Sequence, residues 1–526
     1  MAKGLFRSGV IVSFMTFLSR ILGLVRDAVT AHLLGAGAAA DIFLLANKVP
    51  NFLRRLFAEG AFAQAFVPVL TEVKEQHGDD KVRMFVANAA GTLGTILLSV
   101  TILGVIASPV IAALFGAGWF ASSDSSISTD KYALLSLMLK FTFPYLFFIS
   151  LVALSGAVLN VYNKFAVAAF TPVLLNISII SCALYFHDKF DFGALSLALG
   201  VFIGGVVQLL FQIPFLYRAK MLAKPKWAWQ DENVKKVRKL MIPALFGVSV
   251  SQINLLLDSV IATFLINGSI AWLYYSDRLI EFPLGLFGIG IATVILPALS
   301  KLHVNKEGTD FQDTLDWGVR FVLWLGLPAF MGLIVLSPLI ITVLFGHGAF
   351  INSEVDHVTQ VSFGVTAYAV GLVSFMLIKV LAPGFYARQD TKTPVKIGIA
   401  ALILNMVFNL ILASFLGYIG LALATSLSAT CNAFLLYYFL SKQGVYKFSR
   451  YSVGFTLKCI VSSLVMAFVT YWCEQQLIWQ SIGLGQQIVY LFSLLLIAII
   501  TYFSLLFVFG IRVNTIKNVS FAKKSL

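Results

Sequence analysis

Apolar runs of about twenty residues or longer, separated by short polar stretches, recur fourteen times along the chain. At a rise of 1.5 Å per residue, a helix of ~20 mostly apolar residues crosses the hydrocarbon core of a bilayer. The pattern therefore predicts spanning helices at Gly9–Leu34, Ala40–Leu70, Phe85–Phe115, Leu134–Tyr162, Val167–Phe186, Leu195–Tyr217 and Met241–Ile266. A second seven follow at Ala271–Leu299, Trp317–Phe345, Val361–Phe385, Val395–Phe415, Gly420–Leu440, Tyr451–Cys473 and Gln487–Gly510. The first two are weak by hydropathy because they carry charges.

Composition agrees with an all-α polytopic membrane protein. Hydrophobic residues make up 59% of the 526 positions and charged residues 12%, about half the roughly 25% of a soluble domain. That rules out three or four ordinary soluble domains, which length alone would suggest. The net charge of +14 takes its meaning from where the cations sit. Of 38 Lys and Arg, 26 fall in the two termini and the even-numbered loops, and the odd-numbered loops hold Lys131 and Lys189 alone. Positive loops face the cytoplasm, so this bias supports an even helix count with both termini cytoplasmic. Cations spread over every cytoplasmic loop are topology signals and argue against a nucleic-acid partner. Lys3 and Arg7 precede the first apolar run without a small-residue cleavage site, predicting a retained first helix. Cys182, Cys431, Cys459 and Cys473 show neither a disulfide nor a zinc pattern and read as structural thiols.

The remaining ten cations lie within predicted spans. Lys140, Arg320 and Lys458 are near segment ends and are expected to snorkel. Arg20, Arg26, Lys48, Arg54, Arg55, Arg278 and Lys379 are not, and seven such charges cost roughly 20 kcal/mol on insertion scales. They must face acids, one another or a wet cavity. The nearby acids are Asp27, Asp41, Glu59, Asp277 and Glu281, so the interior is net positive and suits an anionic substrate. Arg20 and Arg26 are about 120° apart on a straight helix and converge only if it bends, for which Gly23 is the candidate kink. Ser13, Thr16 and Arg20 form a polar stripe. Arg55 and Glu59 are spaced to pair, leaving Arg54 freer; Asp277 and Glu281 share a face, with Arg278 about 100° away. Arginine's planar fork suits phosphate, and three arginines would make a pyrophosphate-sized site.

The chain also repeats itself. Gly37–Lys74 and Gly268–Lys301 read alike, and Tyr162-Asn-Lys164 with Thr171-Pro172 echoes Tyr386-Ala-Arg388 with Thr393-Pro394. Both offsets equal six helices, as in alternating-access carriers built from repeats. The expected organisation is an N-lobe (1–218, helices 1–6), a basic amphipathic cytoplasmic linker (219–240) on the anionic leaflet, a C-lobe (241–441, helices 7–12) and two extra helices with the C-terminus (442–526).

Ser19-Arg20-Ile-Leu-Gly23-Leu-Val-Arg26-Asp27, Lys48-Val-Pro50-Asn51-Phe-Leu-Arg54-Arg55-Leu-Phe-Ala-Glu59, Tyr275-Ser-Asp277-Arg278-Leu-Ile-Glu281 and Lys379-Val-Leu-Ala-Pro383 resemble the MurJ/MviN family of lipid II flippases in the MOP exporter superfamily. The likeness extends over essentially the whole chain. It implies that Arg20, Arg26 and Arg278 bind the diphosphate-sugar head group, with Lys48, Asn51, Arg54 and Arg55 in the substrate site. Asp27, Asp41, Glu59, Asp277, Glu281 and Lys379 would gate or form ion pairs, and a groove at helices 13 and 14 would accept the undecaprenyl tail. Some members resemble sodium-coupled carriers; their cation site would fall here on Asp258, Asn405, Asn409 and Thr425, although Asn409 stands where those members have an acid.

The expected activity is non-enzymatic flipping of lipid II from the cytoplasmic to the outer leaflet. It needs no cofactor beyond a coupling ion or the membrane potential. Expected partners are lipid II, membrane lipids and cell-wall synthesis enzymes. The alternatives are export of another lipid-linked oligosaccharide, or drug/cation antiport, which would want unpaired intramembrane acids. A membrane transferase or phosphatase would need acids or histidines facing a pocket, and the six histidines show no motif pairing.

Overall fold

A computed structural model describes residues 2–55, 61–121, 125–305, 308–476 and 482–512. Among them there is no β-strand, as expected where every backbone polar group must be satisfied without water. The chain forms two compact units, Met1–Ala271 with His347–Ser353, and Trp272–Gly346 with Glu354–Leu526.

The first unit contains α1 (Ala2–Leu34), α2 (Ala38–Arg54), α3 (Ala61–Ile106), α4 (Ser108–Phe115), α5 (Ala117–Phe120), α6 (Ser125–Thr142), α7 (Tyr145–Val161), α8 (Phe165–Phe186), α9 (Leu195–Arg218) and α10 (Glu232–Ala262). Its core on α3, α7, α9 and α10 is built around Phe62, Phe66, Phe85, Val158, Leu216 and Val234, with the rings of Phe62, Phe66 and Phe85 stacked at 4.8 and 5.3 Å. Where α9 crosses α8, a Cβ on Gly200 would lie 2.7 Å from the Ile179 Cα; helices in lipid approach closely through such small residues.

The second unit contains α11 (Ser269–Pro283, its first turn in the first unit), α12 (Ile289–Val304), α13 (Gly308–Phe345), α14 (His357–Tyr386), α15 (Lys392–Leu416), α16 (Tyr418–Lys442), α17 (Arg450–Gln475) and α18 (Leu484–Val508). Phe455, Cys459, Met466, Ala498 and Tyr502 join α17 to α18, with Trp324 of α13 packed against them. Exposed Leu410 and Phe415 on α15, and Leu496, Ile500 and Phe507 on α18, form the apolar exterior that lipid would cover.

Each of the fourteen predicted segments falls on a helix or a broken pair of helices. Eleven helices among the described residues are long and apolar enough to cross a membrane. The segments 9–34, 40–70 and 241–266 are not among them. Ala271–Leu299 is interrupted by a wider π-type turn at Leu284–Gly288, directly after Pro283. Proline withholds a backbone donor and so favours such a break.

The repeat has a structural counterpart. A helix follows Gly37 or Gly268 and carries charged residues in its C-terminal half; a later one carries Pro68 or Pro297. The turns before α8 and α15 each hold a non-glycine residue in the left-handed region, Asn163 at φ 60° and Gln389 at φ 61°. The prolines of the second echo are not equivalent: Pro394 lies in the first turn of α15, whereas Pro172 lies inside α8.

The basic linker is irregular until α10 begins at Glu232. The Lys226 amide donates to the Ala87 carbonyl at 2.9 Å and the Ala228 amide to Thr92 Oγ1 at 3.1 Å. Asp231 caps α10 through the Asn233 and Val234 amides and accepts from Asn88 Nδ2 at 3.0 Å. A Cβ on Gly91 would meet the Lys226 carbonyl oxygen at 2.2 Å, so only glycine admits the strap here. Trp227 and Trp229 stack at 5.9 Å, with the Arg238 guanidinium 3.7 Å over Trp229.

Candidate functional site

In the first unit α1 supplies Arg20 and Arg26. The helix runs unbroken through Gly23, contrary to the expected kink. A Cβ on Gly23 would stand 3.9 Å from Asn176 Nδ2 on α8, an ordinary contact. That amide donates to the Ser19 carbonyl at 3.1 Å, and Asn176 Oδ1 accepts from Arg26 Nη1 at 3.2 Å. Arg26 also binds Asp27 through Nε at 3.0 Å and Nη2 at 2.6 Å, with Asp27 buried. Arg20 is exposed and makes no hydrogen bond or ion pair with a described residue.

On α2, Lys48 Nζ donates to Ser259 Oγ of α10 at 2.7 Å, and Arg54 Nε to Asn51 Oδ1 at 3.1 Å. Asn51 Nδ2 donates to the Asn47 carbonyl at 2.9 Å. Arg55 is exposed, and its expected partner Glu59 lies outside the described residues. Asp41 is buried, 3% exposed, and accepts from the Gly268 amide at 2.7 Å and the Ala271 amide at 2.8 Å. It thereby caps α11, satisfying orphan first-turn donors and meeting the positive end of the helix dipole.

In the second unit Arg278 lies along Tyr274, its Nε and Nη2 3.3 and 3.1 Å from the Tyr274 hydroxyl oxygen, which accepts. Arg278 Nη1 pairs with Glu281 Oε2 at 3.1 Å, one turn away. Asp277 is exposed on the same helix, and Lys379 of α14 is exposed with no hydrogen bond or ion pair to a described residue.

Asn405 and Asn409 of α15 meet Thr425 and Ser428 of α16. Asn405 Nδ2 donates to both hydroxyls at 3.4 Å, and Asn409 Nδ2 to Asn405 Oδ1 at 3.0 Å. Asp258 lies on α10 and belongs to the first unit. No carboxylate is among these four amides and hydroxyls. The described residues hold no cluster of three His, Cys, Asp or Glu able to hold a metal.

Arg320 does not snorkel. It is 4% exposed and pairs with Asp316 at 3.2 Å. Asp316 also accepts from the Tyr446 hydroxyl at 3.0 Å and from Ser452 Oγ at 2.6 Å, pinning the start of α17 to α13. Burial, reinforced by the Asp316 charge, raises the Tyr446 hydroxyl far above its ordinary range, keeping it a donor. Lys458 does reach an end, donating to the Phe509 carbonyl at 2.9 Å, and Lys140 is exposed. The four cysteines are free thiols.

Asn176 and Tyr274 were not singled out from sequence. A lone amide in the apolar run 167–186 carries one usable signal: buried polar groups need partners. Tyr274, four residues before Arg278, is placed to meet it on one helix face.

Residues 30–500 match the family described as "Lipid II flippase MurJ". The chain is 54% identical over 518 residues to the probable lipid II flippase MurJ of Vibrio cholerae, covering 98% of each. It is 37% identical over 517 residues to the lipid II flippase MurJ of Burkholderia cenocepacia, covering 97% of this chain and 98% of that one. Among solved structures, a lipid II flippase MurJ in an inward closed conformation matches with TM-score 0.77 at 29% identity, over 95% of this chain and 98% of that one. An inward-facing multidrug resistance MATE transporter of the MOP superfamily matches with TM-score 0.68 at 12% identity, over 82% and 97%, a likeness of fold. A helical chain with arginines in its spans, matched to one family along nearly its full length, belongs to the MurJ family.

Proposed function

We propose that this chain flips lipid II across the bacterial inner membrane by alternating access, without chemistry on the head group, with both termini cytoplasmic. Arg20, Arg26 and Arg278, assisted by Lys48, Asn51, Arg54 and Arg55, hold the diphosphate and its sugars; the undecaprenyl tail stays against apolar helix faces, including those of α17 and α18. Asp27, Asp41 and Glu281 orient cations or cap helices; Glu59, Asp277 and Lys379 contribute to gating. Turnover draws on the membrane potential or a coupling ion, and cell-wall synthesis enzymes are the candidate partners for delivery and use of the lipid. Drug/cation antiport is disfavoured by the excess of cations within the spans.

The observation that carries this reading is Arg20, a guanidinium in a spanning helix with no described protein partner. An ionisable side chain placed within a spanning helix marks a substrate path, and an anion is what Arg20 lacks. A hydrogen bond to a charged group is worth about 1.5–3 kcal/mol, so Arg20→Ala lowers flipping in proteoliposomes by about ten- to hundredfold. Arg26→Ala and Arg278→Ala act in the same direction, and a fully active triple variant refutes the anion site. Running the assay with and without membrane potential and sodium identifies the energy source.

A further inference from the structure

The first unit carries a groove of about 340 Å³ between α1 and the α7–α8 corner, bordered by Thr16, Ser19, Asn160, Phe165, Ala168 and Pro172. It lies within the 300–1,000 Å³ range of small-molecule sites. Its polar groups are not alike. The Thr16 hydroxyl is spent on the Val12 carbonyl at 2.8 Å, as are those of Thr30, Thr71 and Ser150 on carbonyls one turn back. Ser19 departs from this habit: its carbonyl is taken by Asn176, but its hydroxyl has no partner among the described residues, and neither has the exposed Asn160 carboxamide. A hydroxyl and an exposed carboxamide left uncommitted on the same groove are available to hydrogen-bond a ligand.

The groove is uncharged, and Arg20 follows Ser19 directly and shares a helix face with Thr16, one turn away. Neutral donors and acceptors beside an aromatic ring and a proline suit sugar hydroxyl and acetamido groups. Acidic peptide groups would call for cations that the lining lacks. We propose that this groove is a saccharide subsite: Ser19 Oγ and the Asn160 amide hydrogen-bond the sugar attached to the diphosphate at Arg20, and Phe165 packs against its apolar face. This deepens the flippase reading and rests on it.

The test is binding to the full-length protein in nanodiscs of three probes: bare polyprenyl diphosphate, the same lipid with one N-acetylated hexose, and that lipid with a pentapeptide added. Two neutral hydrogen bonds correspond to about tenfold in affinity. The unmodified protein is expected to prefer the glycosylated lipid to the bare one by about tenfold. Ser19→Ala/Asn160→Ala abolishes that preference while bare-lipid affinity, which reports an intact fold, stays unchanged; Arg20→Ala weakens all three alike. Retention of the sugar preference by the double variant, or a preference that appears only with the peptide, overturns the proposal. Equal binding of bare and glycosylated lipid by the unmodified protein removes the subsite and leaves the flippase reading standing. Binding of none of the three removes both.

Discussion

Asp41→Ala removes the carboxylate that caps α11, and its cost follows from the geometry. Two amides, those of Gly268 and Ala271, lie 2.7 and 2.8 Å from its oxygens in a setting where Asp41 is 3% exposed. Each orphaned buried donor costs about 1–3 kcal/mol, so the variant loses roughly 3 kcal/mol. With an unfolding entropy of about 2.1 cal/mol/K per residue, a chain of this size melts about 3 °C lower. Asp41→Asn keeps one carbonyl acceptor and loses about half as much. The assay is thermal unfolding of the purified full chain, paired with amide hydrogen exchange at Gly268 and Ala271, which speeds up in the order parent, Asn, Ala. A loss of flipping in Asp41→Ala with melting and exchange unchanged refutes the capping role and assigns the carboxylate to substrate or ion handling.

Three further outcomes follow from the same physics. Asn176→Leu deletes the bridge from α8 to Arg26 and to the Ser19 carbonyl; interhelical hydrogen bonds in membranes average about 0.6 kcal/mol, so flipping should fall more than melting temperature does, as measured side by side. Asp316→Ala strands Arg320 among buried groups and costs about 3–5 kcal/mol, whereas Asp316→Leu/Arg320→Leu recovers most of it; a thermal double-mutant cycle reads the coupling. Asp390, between α14 and α15, has its pKa held below the ordinary 3.8 mainly by the Thr393 hydroxyl and then by its amide. A depressed carboxylate contributes its stability above the unfolded pKa and loses it as pH falls through the folded one. Protection of the Thr393 amide from exchange should therefore be constant above about pH 4 and decline below it, a step that Asp390→Asn lacks.

The helices were legible because their signal is a sum over some twenty residues, which no single side chain can overturn. What escaped was decided residue by residue. A glycine in the first apolar run permits a kink without requiring one, and here α1 continues through Gly23 while Asn176 of α8 bonds the Ser19 carbonyl beside it. The snorkelling expected of Arg320 ignored Asp316, four residues earlier and just outside the predicted span, whose other partners come from the distant segment 446–452. The cationic character of the spans was plain, whereas the pairings were only partly so: Arg278 takes Glu281 and the unforeseen Tyr274. Arg26 takes Asp27, its neighbour in the chain.

The linker strap bears on how the protein meets a protease. By composition, residues 218–239 offer trypsin eight basic sites in a stretch read as a loose tether. Cleavage requires some residues of backbone to peel away into the enzyme, and from Lys226 onward the backbone is fastened to α3 through Ala87, Asn88 and Thr92. Lys224 is shielded in another way, because Pro225 follows it. Limited digestion of the folded protein should therefore spare Lys226, and a nick made elsewhere in this stretch leaves a downstream fragment clamped to the upstream one until detergent or heat releases α3.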